Sequence, residues 1–160
     1  MRAAYDYGAD AVYAGSPRYS LRARNNEFAK LDVLEQGIKE AHERNKKFFL
    51  TVNTLPHNSK LKTFVSDMEP LIAMKPDALI MADPGLIMTV REKWPEMPIH
   101  LSVQANTTNY WGVKFWQNIG VERIILSREL SMEEIAEIRQ ECPDIELEVF
   151  IHGALCIAYS

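Results

Sequence analysis

The feature that most constrains the fold is an alternation between two kinds of segment. Short apolar runs rich in β-branched and aromatic residues are separated by stretches whose apolar residues recur with a helical period. The runs cover residues 10–15, 47–53, 77–83, 99–106, 122–130 and 146–153. Strands and helices that alternate in this way, about 20 to 35 residues apart, form βα units around a parallel sheet. The sequence therefore predicts an α/β fold with six parallel strands.

The helix candidates lie between these runs, at residues 31–45, 60–74, 84–94, 109–120 and 131–141. Ser131 followed by Glu134 has the spacing of a capping box, which predicts that the last helix begins there. Pro70 is expected to kink or end the second candidate, because proline removes a backbone N–H. The opening residues, MRAAYDYGAD, have the pattern of a helix end stopped by Gly8.

The composition excludes several classes of protein. Of the 160 residues, 47% are hydrophobic and 25% are charged, so the chain can bury a core and is not a disordered tail. The net charge of −4 argues against a uniformly basic nucleic-acid surface but leaves room for a local basic patch. No apolar run reaches the roughly 18 residues that span a bilayer. No signal peptide opens the sequence, and two cysteines do not form a disulfide framework. We therefore expect a cytoplasmic protein without a membrane partner.

The expected architecture is a single domain over residues 1–160, a parallel (β/α) barrel of TIM type that is incomplete. Six of its eight strands are predicted, and we expect the first and the last to be missing, as in a fragment truncated at both ends. A six-stranded doubly wound domain is the alternative. An incomplete barrel exposes strand edges, which invite pairing with another chain and so offer a route to a homo-oligomer.

Polar side chains with chemical capability follow the predicted strands at their carboxyl ends. In barrels and in open α/β sheets the active site is built at this end. The alternative is that these loops are polar only because loops are solvated. The predicted substrate-binding residues are Tyr13, Arg18, Arg22, Asn53, Gln104, Asn106 and Arg128, and the predicted catalytic residues are Asp83, Glu129 and His152.

The catalytic candidates each have a structural alternative. Asp83 and Glu129 are the carboxylates best placed for proton transfer. Asp83 precedes Pro84, so it is also a candidate cap of the next helix. Glu129 and its neighbour Arg128 are also candidates for an ion pair with each other. His152 is either a satisfied core histidine or a site residue.

The segment RYSLRARNNEF carries Arg18, Arg22 and Arg24 within seven residues. Arginine forks match carboxylates and phosphates in a bidentate manner, so the segment predicts anion recognition. A solvated charged loop is the alternative. The amides of Gln104 and Asn106 are suited to reading a base edge or orienting a carboxylate, and they do not act as acids or bases at neutral pH.

The segment EVFIHGALC resembles the signature of peptidase family U32, the collagenase-like proteases. That signature has glutamate, any residue, phenylalanine, two further residues, glycine, serine or alanine, an aliphatic residue and cysteine. Every slot is filled by Glu148, Phe150, Gly153, Ala154, Leu155 and Cys156. Further segments that resemble this family are GADAVYAG, YSLRARNNEF, PDALIMADPGLI, IHLSVQAN and RIILSREL.

The resemblance is nearest to the branch that hydroxylates the wobble uridine of tRNA with prephenate and an iron–sulfur cluster. It implies a barrel with a cluster held by four cysteines, of which Cys156 alone lies in this sequence. It also implies tRNA and a small dicarboxylate, prephenate, as partners. Cys142 lies after a helix and before a strand, and we interpret it as structural or incidental. Two alternatives stay open: a collagenase-like peptidase in which Cys156 is a thiol nucleophile paired with His152, and a non-catalytic barrel fragment that assembles with a partner chain.

Overall fold

The computed structural model describes residues 1–21 and 26–153. The chain divides into two units, Met1–Ile80 and Met81–Ser160. One strand, β3 (Ala78–Met81), crosses this division. The prediction of one domain over residues 1–160 stays a prediction.

The first unit contains strands β1 (Ala11–Gly15) and β2 (Lys47–Val52) and the start of β3, adjacent in the sheet in that order. β1 and β2 are parallel, with Ala11 opposite Lys47 and Gly15 opposite Thr51. Its described helices are α1 (Arg2–Asp6), α2 (Leu31–Glu43), α3 (Asn58–Leu61) and α4 (Phe64–Ala73).

The core of the first unit forms because α2 and β2 each bury an apolar face. The buried side chains include Leu34, Ile38, Phe48 and Leu50. The ring of Phe28 packs edge-on against Phe48, with 5.5 Å between the ring centroids. Glycine at position 37 permits this approach, since a Cβ there would lie 2.6 Å from Phe28 Cε1.

The second unit contains β4 (Ile99–Leu101), β5 (Arg123–Ile125) and β6 (Glu146–Glu148), adjacent in that order and parallel. Its described helices are α5 (Pro84–Lys93), α6 (Tyr110–Asn118) and α7 (Met132–Glu141). Ile87, Val90, Leu101, Val113 and Ile124 are among its fully buried side chains. In both units helices alternate with parallel strands, as predicted.

Three predicted strands end well before the predicted run does. The run 99–106 is a strand only to Leu101, and Val103–Ala105 form a 3₁₀ turn. The Ser102 hydroxyl accepts a hydrogen bond from the Gln104 N–H, and Asn106 adopts a left-handed conformation at φ 50°. These turn-forming contacts end the strand. The runs 122–130 and 146–153 likewise end as strands at Ile125 and at Glu148.

The predicted capping box is confirmed, because the Ser131 hydroxyl accepts from the Glu134 N–H and the Glu134 carboxylate accepts from the Ser131 N–H. The prediction that Pro70 ends its helix was wrong, because α4 continues through Pro70 to Ala73. The alternative, a kink at Pro70, stays a prediction. Proline has a helical φ and removes one hydrogen bond, and the buried side chains of Phe64, Met68 and Leu71 on α4 offset that loss.

Candidate functional site

In the first unit, the loop that follows β1 is fixed to the end of β2 by hydrogen bonds. The Ser16 N–H donates to the Thr51 carbonyl at 2.9 Å, and the Thr54 N–H donates to the Tyr19 carbonyl at 3.0 Å. Gly15 is needed at the start of the loop, because a Cβ there would lie 2.5 Å from Ser20 Oγ. The loop is therefore held in one position at the carboxyl end of two parallel strands.

Arg18, a predicted anion-binding residue, lies in this loop and pairs with Asp67 of α4. Its Nη1 donates to both carboxylate oxygens of Asp67 at 2.8 Å, while its side chain stays 61% exposed. The Tyr19 hydroxyl donates to Asp67 Oδ2 at 2.7 Å. Tyr19 is buried, and its ring packs edge-on against Phe64 at 5.1 Å. A buried tyrosine thus anchors the carboxylate that orients an exposed arginine.

The pKa of the Asp67 carboxyl is held below its ordinary value, chiefly by the hydrogen bond from Tyr19, with the Arg18 charge adding to the effect. The hydrogen bond from Tyr19 to Asp67 therefore contributes stability above the unfolded pKa of about 4, and the contribution is lost as the pH falls through the folded pKa. We expect Asp67→Asn to lower the free energy of unfolding by about 1–3 kcal/mol at pH 7. In urea titrations, the difference in unfolding free energy between the wild type and Asp67→Asn should shrink below about pH 4. A difference that stays constant down to pH 2 would contradict the stabilising role of the Asp67 carboxylate.

The other predicted residues of this unit have different surroundings. Tyr13 is 59% exposed although it lies in the middle of β1. Asn53 accepts a hydrogen bond at Oδ1 from the Leu21 N–H at 3.4 Å, so it supports the same loop. Arg22 lies outside the described residues. The structure therefore places Arg18 and Asn53 on one loop system at the ends of β1 and β2.

In the second unit, the segments after β4 and β5 come together through Ser127. The Ser127 N–H donates to the Thr107 carbonyl at 3.2 Å. The Ser127 hydroxyl donates to the Glu129 carboxylate and lies 3.4 Å from Asn106 Oδ1. Ser127 is buried, whereas Asn106 and Glu129 are exposed. The structure thus joins two predicted residues, Asn106 and Glu129, through a serine that was not predicted.

Arg128 and Glu129 are adjacent in the chain but have different described contacts. The Arg128 guanidinium stacks on the Phe150 ring, with Cζ 4.1 Å from the ring centroid. The Glu129 carboxylate instead accepts from Ser127. Gln104 lies in the 3₁₀ turn and is half-buried. The contact joins Arg128, which follows β5 as Glu129 does, to Phe150, which follows β6.

Asp83 and His152 are placed differently from the other catalytic candidates. Asp83 is the N-cap of α5, and its Oδ1 accepts from the Leu86 N–H at 2.9 Å. The capping alternative is therefore what the structure shows. His152 lies beyond the end of β6 and is exposed, so it is not a core histidine.

The role of Asp83 can be tested because asparagine caps helices as well as aspartate does. We expect Asp83→Ala to lower the free energy of unfolding by about 1 kcal/mol and Asp83→Asn to leave it nearly unchanged. Catalytic activity should also survive in Asp83→Asn, measured as turnover of the full-length protein. If Asp83→Asn kept its stability but lost turnover, Asp83 would belong to the catalytic set.

Among residues 1–21 and 26–153, no group of three or more histidine, cysteine, aspartate or glutamate side chains could hold a metal ion. Cys156 lies outside these residues. Cys142 is buried, and its Sγ lies 3.7 Å from the Tyr110 carbonyl. Burial raises the pKa of its thiol above the ordinary value. Both observations fit the structural role predicted for Cys142.

An open groove of about 550 Å³ lies beside β6, away from the predicted site residues. Two arginines line it. Arg123 pairs with Glu146 and Glu148, and Arg139 donates to the carbonyls of three loop residues, Cys142, Pro143 and Ile145. These charges hold the loop that enters β6, so we assign the groove a structural role. No helix in the described part of the chain is both long and apolar enough to cross a membrane.

The chain is similar to proteins named for the modification of RNA. Over all 160 residues it is 68% identical to tRNA hydroxylation protein P of Haemophilus influenzae, and it spans 35% of the length of that protein. Over 159 residues it is 36% identical to the 23S rRNA 5-hydroxycytidine synthase of Escherichia coli. That match covers 99% of this chain and 23% of the synthase. The chain therefore spans about a third or less of each of these two relatives.

A solved U32 peptidase structure resembles this chain with a TM-score of 0.68 at 16% identity, over 89% of this chain and 60% of that one. At this identity the likeness shows the fold alone. It confirms the predicted class, an α/β fold of the barrel type in which helices alternate with parallel strands. The model of peptidase family U32 matches residues 1–160. Because that match covers the whole chain, this protein belongs to peptidase family U32.

Proposed function

We propose that the full-length protein hydroxylates RNA and that its substrate is tRNA. The observation that carries this proposal is the 68% identity, over the whole chain, to a protein named for tRNA hydroxylation. A second relative, at 36% identity, is named for making 5-hydroxycytidine in ribosomal RNA. The first name describes hydroxylation of tRNA and the second describes formation of a hydroxylated cytidine in ribosomal RNA, and neither name mentions peptide cleavage. A tRNA substrate also supports a cytoplasmic location.

The finer proposal is 5-hydroxylation of the wobble uridine, with prephenate as co-substrate and an iron–sulfur cluster as cofactor. When bound, such a cluster supplies one-electron chemistry. A four-iron cluster takes about four thiolates, but this chain has two cysteines, and Cys142 is buried against Tyr110. The described residues therefore do not form a cluster site by themselves. We propose Cys156 as one ligand, with the others outside this sequence.

We propose Glu129 as the residue that handles a proton. Replacing C5–H of uracil with C5–OH is a two-electron oxidation, in which we propose prephenate as the oxygen donor and electron acceptor. The ring hydrogen then leaves C5 as a proton. The Glu129 carboxylate is exposed at the end of β5, and the buried Ser127 hydroxyl holds one of its oxygens. A carboxylate with one oxygen fixed and its surface open to solvent is suited to accept a proton from a bound base. Asn106, which lies 3.4 Å from the same serine hydroxyl, is suited to a hydrogen bond with a base edge.

Nucleoside analysis of RNA from a strain that lacks the gene tests this function. We expect nucleosides derived from 5-hydroxyuridine to disappear from tRNA and to return when the full-length gene is restored. If 5-hydroxycytidine disappeared from ribosomal RNA instead, the substrate would be ribosomal RNA and not tRNA. If both kinds of RNA kept their hydroxylated nucleosides in a strain that carries no second copy, the proposed function would be wrong.

A further inference from the structure

Arg18 is exposed, yet its loop and its guanidinium are both held in place by hydrogen bonds. The residue lies in a loop that is fixed to β2 by backbone hydrogen bonds on both sides, from Ser16 to Thr51 and from Thr54 to Tyr19. Its guanidinium is held by Asp67, which is held in turn by the buried Tyr19 hydroxyl. We propose that Arg18 is a pre-oriented binding group for an oxyanion of the substrates, and that Asp67 and Tyr19 are its positioning residues. The identity of the substrates rests on the proposed function.

Stability is a poor account of the ion pair between Arg18 and Asp67. An ion pair whose arginine is 61% exposed contributes little to folding, because water screens the charges and the long side chain loses freedom. The buried part of the assembly is Tyr19, which packs against Phe64 whether or not Arg18 is present. The hydrogen bond from Tyr19 to Asp67 does not need Arg18 either. What the ion pair adds is a fixed direction for the guanidinium. A group that is already oriented loses less freedom when a ligand binds.

The hydrogen bonds of Arg18 leave a suitable edge for a ligand. Within the described residues, both bonds from its guanidinium use Nη1, and both end on Asp67. The edge formed by Nε and Nη2 has the spacing that matches two oxygens of a carboxylate or a phosphate. Arginine can therefore bind Asp67 and an oxyanion at the same time, whereas the single ammonium of lysine cannot do so in two planar forks.

The location and the charge of the pair define the ligand. The loop lies at the carboxyl end of β1, the end at which α/β proteins bind their substrates. Because the Asp67 charge offsets that of Arg18, recognition depends on the geometry of the hydrogen bonds more than on bulk charge. The proposed reaction offers two sources of such an oxyanion: a carboxylate of prephenate and a phosphate of tRNA.

Steady-state kinetics of the full-length protein, with prephenate and tRNA varied separately, tests the proposal. We expect Arg18→Ala to raise the KM for one of the two about 10- to 100-fold, as for loss of a charge-assisted bidentate contact, with a much smaller change in kcat. A rise for prephenate alone identifies a carboxylate, and a rise for tRNA alone identifies a phosphate. Arg18→Lys should resemble Arg18→Ala, and Tyr19→Phe should raise the same KM about three- to tenfold, since it removes only the orienting hydroxyl.

Arg2 provides the matched control, because it is 68% exposed and pairs with Glu40 at 2.8 Å on a different surface. Arg2→Ala should leave both KM values within about twofold. The proposal is overturned if Arg18→Ala also leaves both KM values within twofold, or if Arg2→Ala changes them equally. Equilibrium binding of prephenate and tRNA without turnover, on variants with an unchanged circular dichroism spectrum, separates this outcome from failure of the proposed function. If the protein never hydroxylated RNA but lost anion binding in Arg18→Ala, only the proposed function would be contradicted. The assignment of Arg18 as an anion-binding residue would stand.

Discussion

Replacing Cys156 with alanine in the full-length protein is expected to reduce RNA hydroxylation by at least about 100-fold. This magnitude follows because even residues that only support metal ligands typically cost 10- to 100-fold when they are changed, and a thiolate ligand is bonded directly. The variant should also lose the broad visible absorbance and the bound iron of an iron–sulfur protein. Activity is measured by nucleoside analysis of tRNA, and the metal is measured by elemental analysis of the purified protein.

Cys142→Ala is the control for this experiment. Cys142 is buried beside the Tyr110 carbonyl, and its thiol has a raised pKa, so it is a poor metal ligand. We expect this variant to keep its iron, its absorbance and its activity, with a modest loss of stability. Full activity in Cys156→Ala, or loss of iron in Cys142→Ala alone, would show that the cluster assignment is wrong.

Phe48→Ala is expected to have the largest effect on stability, about 3–5 kcal/mol. Phe48 is fully buried on β2, and its ring contacts Phe28 edge-on. Truncation would remove apolar burial, leave a cavity in the first unit and end the ring–ring contact. Urea denaturation followed by circular dichroism measures the loss, which should appear as a lower midpoint.

Phe115 is a suitable comparison because it has the same side chain but is 55% exposed on α6. Phe115→Ala should change the free energy of unfolding by no more than about 0.5 kcal/mol. Equal effects of the two substitutions would mean that the core of the first unit does not lie between α2 and β2 as described.

The order of strands and helices could be predicted because hydrophobic period is a local property. Each apolar run contained the observed strand, and each of the five helix candidates contained at least one observed helix. Strand ends were less predictable. The run at 99–106 stays apolar past Leu101, but Ser102 and Asn106 turn the backbone. The behaviour of Pro70 was also hidden, since it depends on the tertiary burial of Phe64, Met68 and Leu71.

The sequence predicted which residues are candidates for the site, but it did not predict which side chains contact one another. Arg18 could be recognised as an anion-binding candidate from its neighbours, whereas its partner Asp67 lies 49 residues away in the chain. Ser127 was visible at the end of a strand, but a serine carries no sequence signal for holding a glutamate. Asp83 before Pro84 did carry a signal for capping, and the structure shows that cap.

The most direct test of the central claim is a reconstituted reaction. Full-length protein, purified without oxygen so that the proposed cluster would be kept, is mixed with prephenate and with tRNA from the deletion strain. The wobble nucleoside is examined by mass spectrometry. The account predicts that the uridine gains one oxygen atom in a reaction that requires prephenate. An unmodified uridine under conditions in which tRNA is bound, together with cleavage of a protein substrate that depends on Cys156, would contradict it and would support a peptidase.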